Sequence, residues 1–113
     1  MNNEFKIQAD CYKWYNNNFC LKFHKPRCIM FSVPNELGRS NVIATMQSKS
    51  IGLTSGVSDT IVILPSKEIL FVEFKTPKGV QSKKQKEFQK RVEDLGFKYH
   101  IVRSLEQFKK IIL

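Results

Sequence analysis

The stretch Asp59-Thr60-Ile61-Val62-Ile63-Leu64-Pro65-Ser66-Lys67-Glu68-Ile69-Leu70-Phe71-Val72-Glu73-Phe74-Lys75 decides how this chain folds. Two runs rich in β-branched and aromatic residues, Thr60 to Leu64 and Glu68 to Lys75, flank the turn formers Pro65-Ser66-Lys67. That pattern predicts a β-hairpin at the centre of a sheet. A period of two along the second run puts Glu73 and Lys75 on one face and Phe74 on the other. Apolar neighbours on both sides mark the strand as central, where a charge is costly unless it is paired or bound to a metal. The plainer alternative is a Glu–Lys ion pair at a sheet edge. Register decides whether Asp59 joins them. If Leu64 pairs with Glu68 around a three-residue loop, Asp59 falls opposite Glu73 on the same face, whereas a two-residue loop would turn it away. The three-residue loop, or a bulge near Asp59, is expected.

Working outward, Ile7, Cys11, Trp14 and Tyr15 recur at helical spacing, so a first helix is expected from Asn3 to Phe19, capped by Asn3 and ended by Asn16-Asn17-Asn18. Glu4 and Gln8 share one face of it. Cys28 to Val33, before Pro34, reads as a strand, and a second helix is expected from Arg39 to Ile51, closing at Gly52. Downstream of the hairpin, Ser82-Lys83-Lys84-Gln85 has the capping-box pattern. Phe88, Val92 and Leu95 form the apolar stripe of the helix it starts, and Gly96 suits its C-terminal left-handed position. Phe97 to Val102 returns as a strand, and Ser104 to Gln107 repeats the capping pattern before a final helix. The order αβαββαβα predicts an α/β fold, a small mixed sheet flanked by helices.

The chain has 113 residues, 42% of them apolar, enough for one compact domain over 1–113 and too few for two. Nineteen Lys and Arg against ten Asp and Glu give a net charge of +9, which favours a polyanion, nucleic acid before an anionic membrane surface. Charge alone names no activity. No apolar run approaches membrane-spanning length and the first twenty residues carry no secretory core, so a cytosolic setting and no membrane partner are expected. Cys11, Cys20 and Cys28 are odd in number and lack a Cys-x-x-Cys pair, which argues against a disulfide framework. Cys20, His24 and Cys28, even with Cys11, lack the tight pairs of structural zinc sites.

Asp59 follows the turn-rich Gly52-Leu53-Thr54-Ser55-Gly56-Val57-Ser58 and opens the strand paired with the one that carries Glu73. Two carboxylates pressed together repel unless a cation lies between them, and hard oxygen ligands suit Mg2+ or Mn2+. A lysine beside such an ion can orient a water and stabilise charge on a phosphate. Asp59, Glu73 and Lys75 therefore point to phosphodiester hydrolysis.

These residues resemble the PD-(D/E)XK nucleases, and within them the virus-type replication-repair nuclease domain, VRR-NUC. Gly52 to Asp59, Glu73-Phe74-Lys75, Lys78-Gly79-x-x-Ser82-x-x-Gln85 and Val102-Arg103 look like that family's motifs in order, and Pro34-Asn35-Glu36 with Arg39 and Glu4-x-x-x-Gln8 resemble its upstream segments. The resemblance covers almost the whole chain. It implies a restriction-endonuclease-like core, a metal held by Asp59, Glu73 and the Phe74 carbonyl with Glu4 as a further acidic ligand, a catalytic Lys75 and a supporting Gln85. Gln85 also precedes the apolar stripe facing the sheet, where a polar side chain needs a partner. Two positions depart from the pattern: Ser58 stands where a proline usually precedes the aspartate, and Ser104 replaces the second arginine of the Val-Arg-Arg motif.

Lys78, Lys83, Lys84, Lys86, Lys90 and Arg91 crowd the segment after the catalytic strand. With Arg39 and Ser82, the first four are candidates for phosphate contact, although such lysines often form only a solvated helix face. Nothing resembles a base-reading helix, so branched or structured DNA such as a four-way junction is the expected substrate. Minimal members of the family resemble dimeric junction-resolving nucleases, which makes a homodimer an expectation and suggests a viral or mobile-element origin. The competing reading is a non-catalytic basic nucleic-acid-binding module in which Asp59, Glu73 and Lys75 form a structural ion-pair cluster.

Overall fold

The computed structural model describes residues 3–22, 26–33, 52 and 56–113. Helix α1 spans Asn3–Trp14 and runs on through a π-helical turn, Tyr15–Phe19, into a short α-helical end, Cys20–Lys22. Strands β1 (Ile29–Ser32), β2 (Thr60–Ile63) and β3 (Ile69–Phe74) follow, then α2 (Lys83–Asp94), β4 (Lys98–Val102) and α3 (Leu105–Ile112). The helix expected over Arg39–Ile51, the Pro34-Asn35-Glu36 segment, Arg39 and His24 lie outside the described residues.

The four strands lie in the order β1-β2-β3-β4. β1 pairs antiparallel with β2 and β2 with β3, while β3 pairs parallel with β4. A parallel neighbour needs a long crossover, and α2 supplies it. The mixed sheet flanked by helices is the expected α/β architecture, with β2 and β3 at its centre.

The hairpin has the three-residue loop. Leu64 N–H donates to Glu68 O at 2.9 Å, and Lys67 N–H donates to Leu64 O at 3.0 Å. The ladder then runs from Ile63 opposite Ile69 to Thr60 opposite Val72. Continued by one residue, this register sets Asp59 across from Glu73. The turn requires a left-handed residue at its third position, and Lys67 takes it with φ +75°.

Alternation along the strands divides the side chains between two layers. On one face Val62, Leu70, Val72, Phe74 and Val102 pack against Cys11, Tyr15 and Cys20 of the first helix and Phe108 and Ile112 of α3. Phe108 is fully buried, edge-on to Trp14 at 6.0 Å and 6.4 Å from the Phe74 ring; truncating such a residue to Ala costs about 3–5 kcal/mol. On the other face Phe71 meets Phe88 of α2 at 6.1 Å and Phe97 at 5.9 Å.

Two sequence expectations are corrected here. The Asn16-Asn17-Asn18 run does not end the first helix. Cys20 N–H reaches Tyr15 O five residues back, and the widened turn keeps both side chains buried. Phe19 stacks on Tyr15 at 5.3 Å, and Tyr15 Oη donates to Ile63 O at 3.2 Å, so packing outweighs the weak helix propensity of Asn. Leu95 does not join the apolar stripe. It caps α2, stays 76% exposed, and is followed by Gly96 at φ +91°. The three cysteines are free and buried, and burial pushes the thiols of Cys11 and Cys20 up to about 12, which leaves them inert.

The strained turn residue gives a test of the register. Lys67→Asn, which tolerates the left-handed region, is expected to raise stability by about 0.5 kcal/mol, and Lys67→Val to lower it by about 1 kcal/mol or more. Urea midpoints measure both, and a Val variant as stable as the parent would contradict the assigned turn.

Candidate active site

Glu73 lies in the central strand with no solvent exposure, and Lys75 just beyond the strand's end is 9% exposed. The Lys75 ammonium stands 3.8 Å from Glu73 Oε2, an ion pair too long for a hydrogen bond. The pair is therefore buried at the middle of the sheet and not at an edge. Glu73 Oε1 is well supplied with donors: Tyr99 Oη at 2.5 Å and Gln81 Nε2 at 3.0 Å. Among the described residues Glu73 Oε2, which is buried, has no hydrogen-bond partner.

Asp59 is brought to the same place by the hairpin register. β2 begins only at Thr60, so Phe74 N–H runs past the end of the ladder, and Asp59 Oδ2 accepts it at 2.7 Å. Asp59 O in turn accepts Val33 N–H at 2.8 Å, which ties the residue to the end of β1. Burial pushes the Asp59 carboxyl above its ordinary value, and repulsion from Glu73 and Glu4 acts the same way, against the Phe74 N–H bond and the Lys75 charge. Glu4 is thus close enough to Asp59 to be felt. Gln8, one turn later on α1, donates to Thr60 Oγ1 at 3.1 Å and anchors the helix beside the start of β2.

The loop entering Asp59 is fixed from the other side by α2. Gly56, at φ +77°, packs so closely under the first turn of that helix that a Cβ would lie 2.3 Å from Lys84 O. Only glycine fits both the dihedral and the space. The capping box forms as expected, with Gln85 N–H donating to Ser82 Oγ at 3.1 Å and Ser82 N–H to Gln85 Oε1 at 2.8 Å. Gln85 Oε1 is therefore spent on the cap, and Gln81 is the amide that meets Glu73.

Lys78, Lys83, Lys84 and Lys86 are exposed around this turn, Lys84 beside Glu87 at 3.9 Å; Ser82 is exposed as well. Lys90 is paired with Asp94 at 2.9 Å, farther along the helix. Arg103, the arginine of the Val-Arg pair, turns inward. Its Nη1 donates to Gly79 O at 2.7 Å and Thr76 O at 2.8 Å, with Pro77 O at 3.4 Å. The guanidinium thus clamps the loop that follows Lys75, and Gly79 lies against the Lys75 stem.

Tyr99 and Gln81 escaped the sequence reading. Tyr99 pairs with Phe71 in the parallel ladder, so a period of two from that pairing puts it on the Glu73 face. Gln81 is one of the two unassigned positions between Gly79 and Ser82.

Among the described residues no three His, Cys, Asp or Glu side chains form a ready metal cage. The donor set nevertheless fits a hard divalent cation. An orphaned carboxylate oxygen in a dry central strand, facing a second carboxylate that burial disfavours in its charged form, is a charge imbalance that a cation relieves. Two carboxylates with a backbone carbonyl also leave room for the waters that Mg2+ keeps.

The model of the VRR-NUC domain family matches residues 2–106. Among solved structures, one described as a VRR_NUC domain is similar at TM-score 0.67 and 21% identity, covering 99% of this chain and 96% of its own. Another, described as a VRR_NUC domain protein, is similar at TM-score 0.73 and 14% identity, covering 99% and 86%. At these identities the likeness is one of fold. A search of curated proteins finds no match.

The raised Asp59 carboxyl sets a sign for stability. A carboxylate whose folded value lies above its unfolded one favours folding when protonated and loses that advantage as pH rises through the folded value. In chelator, Asp59→Asn, which can still accept the Phe74 N–H, is therefore expected to melt above the wild type at pH 7 to 8, with the gap closing as the wild type protonates at lower pH. Melting curves across pH measure it, and a variant less stable than wild type throughout would contradict the charge conflict.

Proposed function

The chain belongs to the VRR-NUC family of nuclease domains, and on that premise we propose that it is a divalent-metal-dependent DNA endonuclease that hydrolyses phosphodiester bonds, with branched DNA such as a four-way junction preferred. The observation that carries the reading is the buried, unpartnered Oε2 of Glu73 beside Asp59 and Lys75.

In this reading Asp59, Glu73 Oε2 and the Phe74 carbonyl hold Mg2+ or Mn2+, with Glu4 supplying a further carboxylate from α1. When bound, such an ion lowers the pKa of a water and withdraws charge from a phosphate. Lys75 supplies the other half of the chemistry. Its nearly buried ammonium donates to the attacking water and offsets charge that develops on the phosphate, and low exposure strengthens both effects. Asp59 keeps its orientation through the Phe74 N–H. Gln85 supports the site at one remove, through the cap that fixes the first turn of α2 over the loop entering Asp59.

Lys78, Lys83, Lys84, Lys86 and Ser82 are the proposed phosphate contacts, joined by Arg39. Such contacts hold the backbone without reading bases, and they make affinity fall steeply with salt. A two-fold homodimer would present paired sites to the strands of a junction. The competing reading, a basic binding module, draws on the Glu73–Lys75 ion pair, which would then be purely structural.

Purified protein is incubated with linear, flapped and four-way-junction DNA, with Mg2+ or Mn2+ and with chelator. Cleavage is expected only with metal and fastest on the junction, and Glu73→Ala and Lys75→Ala are each expected to slow it by about 100-fold or more. Cleavage that survives in both variants would rule out the assigned site. Tight binding of every DNA with no cutting in either metal would favour the binding module.

A further inference from the structure

Both donors to Glu73 aim at one oxygen. Tyr99 Oη lies 2.5 Å and Gln81 Nε2 3.0 Å from Oε1, while Oε2, on the Lys75 side, has no hydrogen-bond partner among the described residues. Both donors are braced by further contacts. Tyr99 is buried in β4, and its ring packs edge-on against Phe88 at 6.3 Å. Gln81 Nε2 also donates to Gln89 Oε1 at 3.0 Å, and Gln89 Nε2 continues to Glu93 Oε2 at 3.4 Å, so a line of polar groups along α2 braces the amide.

We propose that Tyr99 is a positioning residue that, with Gln81, occupies Oε1 of Glu73 and leaves Oε2 as the single oxygen offered to the cation. The inference rests on the metal-dependent reading of the site. Its physical content is a choice of coordination mode. A carboxylate free to rotate can grip a cation with both oxygens, as suits Ca2+, which accepts six to eight ligands in flexible geometry. Mg2+ and Mn2+ suit octahedral sites, where a carboxylate contributes one oxygen. Two hydrogen bonds on Oε1 disfavour the two-oxygen grip and hold the carboxylate plane. Tyr99 and Gln81 thereby favour the smaller octahedral ion over calcium, acting through Glu73 without touching the DNA or the ion.

The test titrates Mn2+ and Ca2+ separately into wild type, Tyr99→Phe, Gln81→Ala and Asp59→Ala by calorimetry, with melting curves and DNA-cleavage kinetics in parallel. Tyr99→Phe keeps the ring and loses only the hydroxyl. It is expected to melt close to wild type, to bind Mn2+ about tenfold more weakly, the loss usual for a partner of a metal ligand, and to bind Ca2+ as well as wild type or better. Its kcat falls while KM for DNA stays unchanged. Gln81→Ala, a change at a half-buried position outside the helices and strands, is expected to narrow the Mn2+-over-Ca2+ preference in the same direction and serves as the deciding variant if Tyr99→Phe fails to fold. Unchanged affinities for both ions in Tyr99→Phe and Gln81→Ala, or an equal loss of both, would overturn the positioning role. If Asp59→Ala binds Mn2+ as wild type does, the metal reading itself fails, and the positioning role with it. If Asp59→Ala loses Mn2+ while the other two variants keep the wild-type preference, only the positioning role fails.

Discussion

A carboxylate without solvent in the central strand of a four-stranded sheet is the constraint around which the rest of the molecule is arranged. Glu73 has aromatic and aliphatic neighbours along β3, and an ionised group there is tolerated only if its charge and lone pairs are met. Tyr99 and Gln81 meet one oxygen. Lys75 stands near the other without bonding to it. The half-met carboxylate is where the fold gives up stability, and it is the position to which the proposed reading assigns a divalent ion.

Seen from Glu73, the neighbouring elements have definite tasks. The three-residue turn sets the register that carries Asp59 across from Glu73, and the early end of β2 frees Phe74 N–H for the Asp59 carboxylate. Gly56 lets the first turn of α2 press onto the loop before Asp59. Arg103 holds the carbonyls of Thr76, Pro77 and Gly79, so the chain leaving Lys75 is fixed rather than free. The opposite face of the same strand carries Val72 and Phe74 into the apolar core with α1 and α3. One strand therefore faces two layers, with its even-numbered residues in the apolar core and Glu73 on the opposite face, beside Lys75 just past the strand's end.

The hairpin, its register and the capping box at Ser82 were legible because each depends on local chemistry: turn formers between β-rich runs, and a hydroxyl three residues before an amide. Asp59, Glu73 and Lys75 could be brought together on paper for the same reason. Tyr99 and Gln81 could not, because their roles depend on a parallel crossover and on the path of a loop, neither of which local sequence specifies. The division of labour between Gln81 and Gln85 was hidden for a related reason. Two amides four residues apart, Gln81 and Gln85, compete for two tasks, and only the geometry of the helix start shows that Gln85 takes the cap and Gln81 takes Glu73. The Asn16-Asn17-Asn18 run misled for a different reason, since propensity is a small effect beside the burial of Tyr15 and Cys20.

Anomalous diffraction from crystals of the wild-type protein soaked in Mn2+ tests most directly whether Glu73 and Asp59 share a cation. The account predicts a peak between Glu73 Oε2 and the Asp59 carboxylate, with Oε1 still held by Tyr99. An anomalous map with no peak between those two carboxylates at saturating Mn2+ would contradict it.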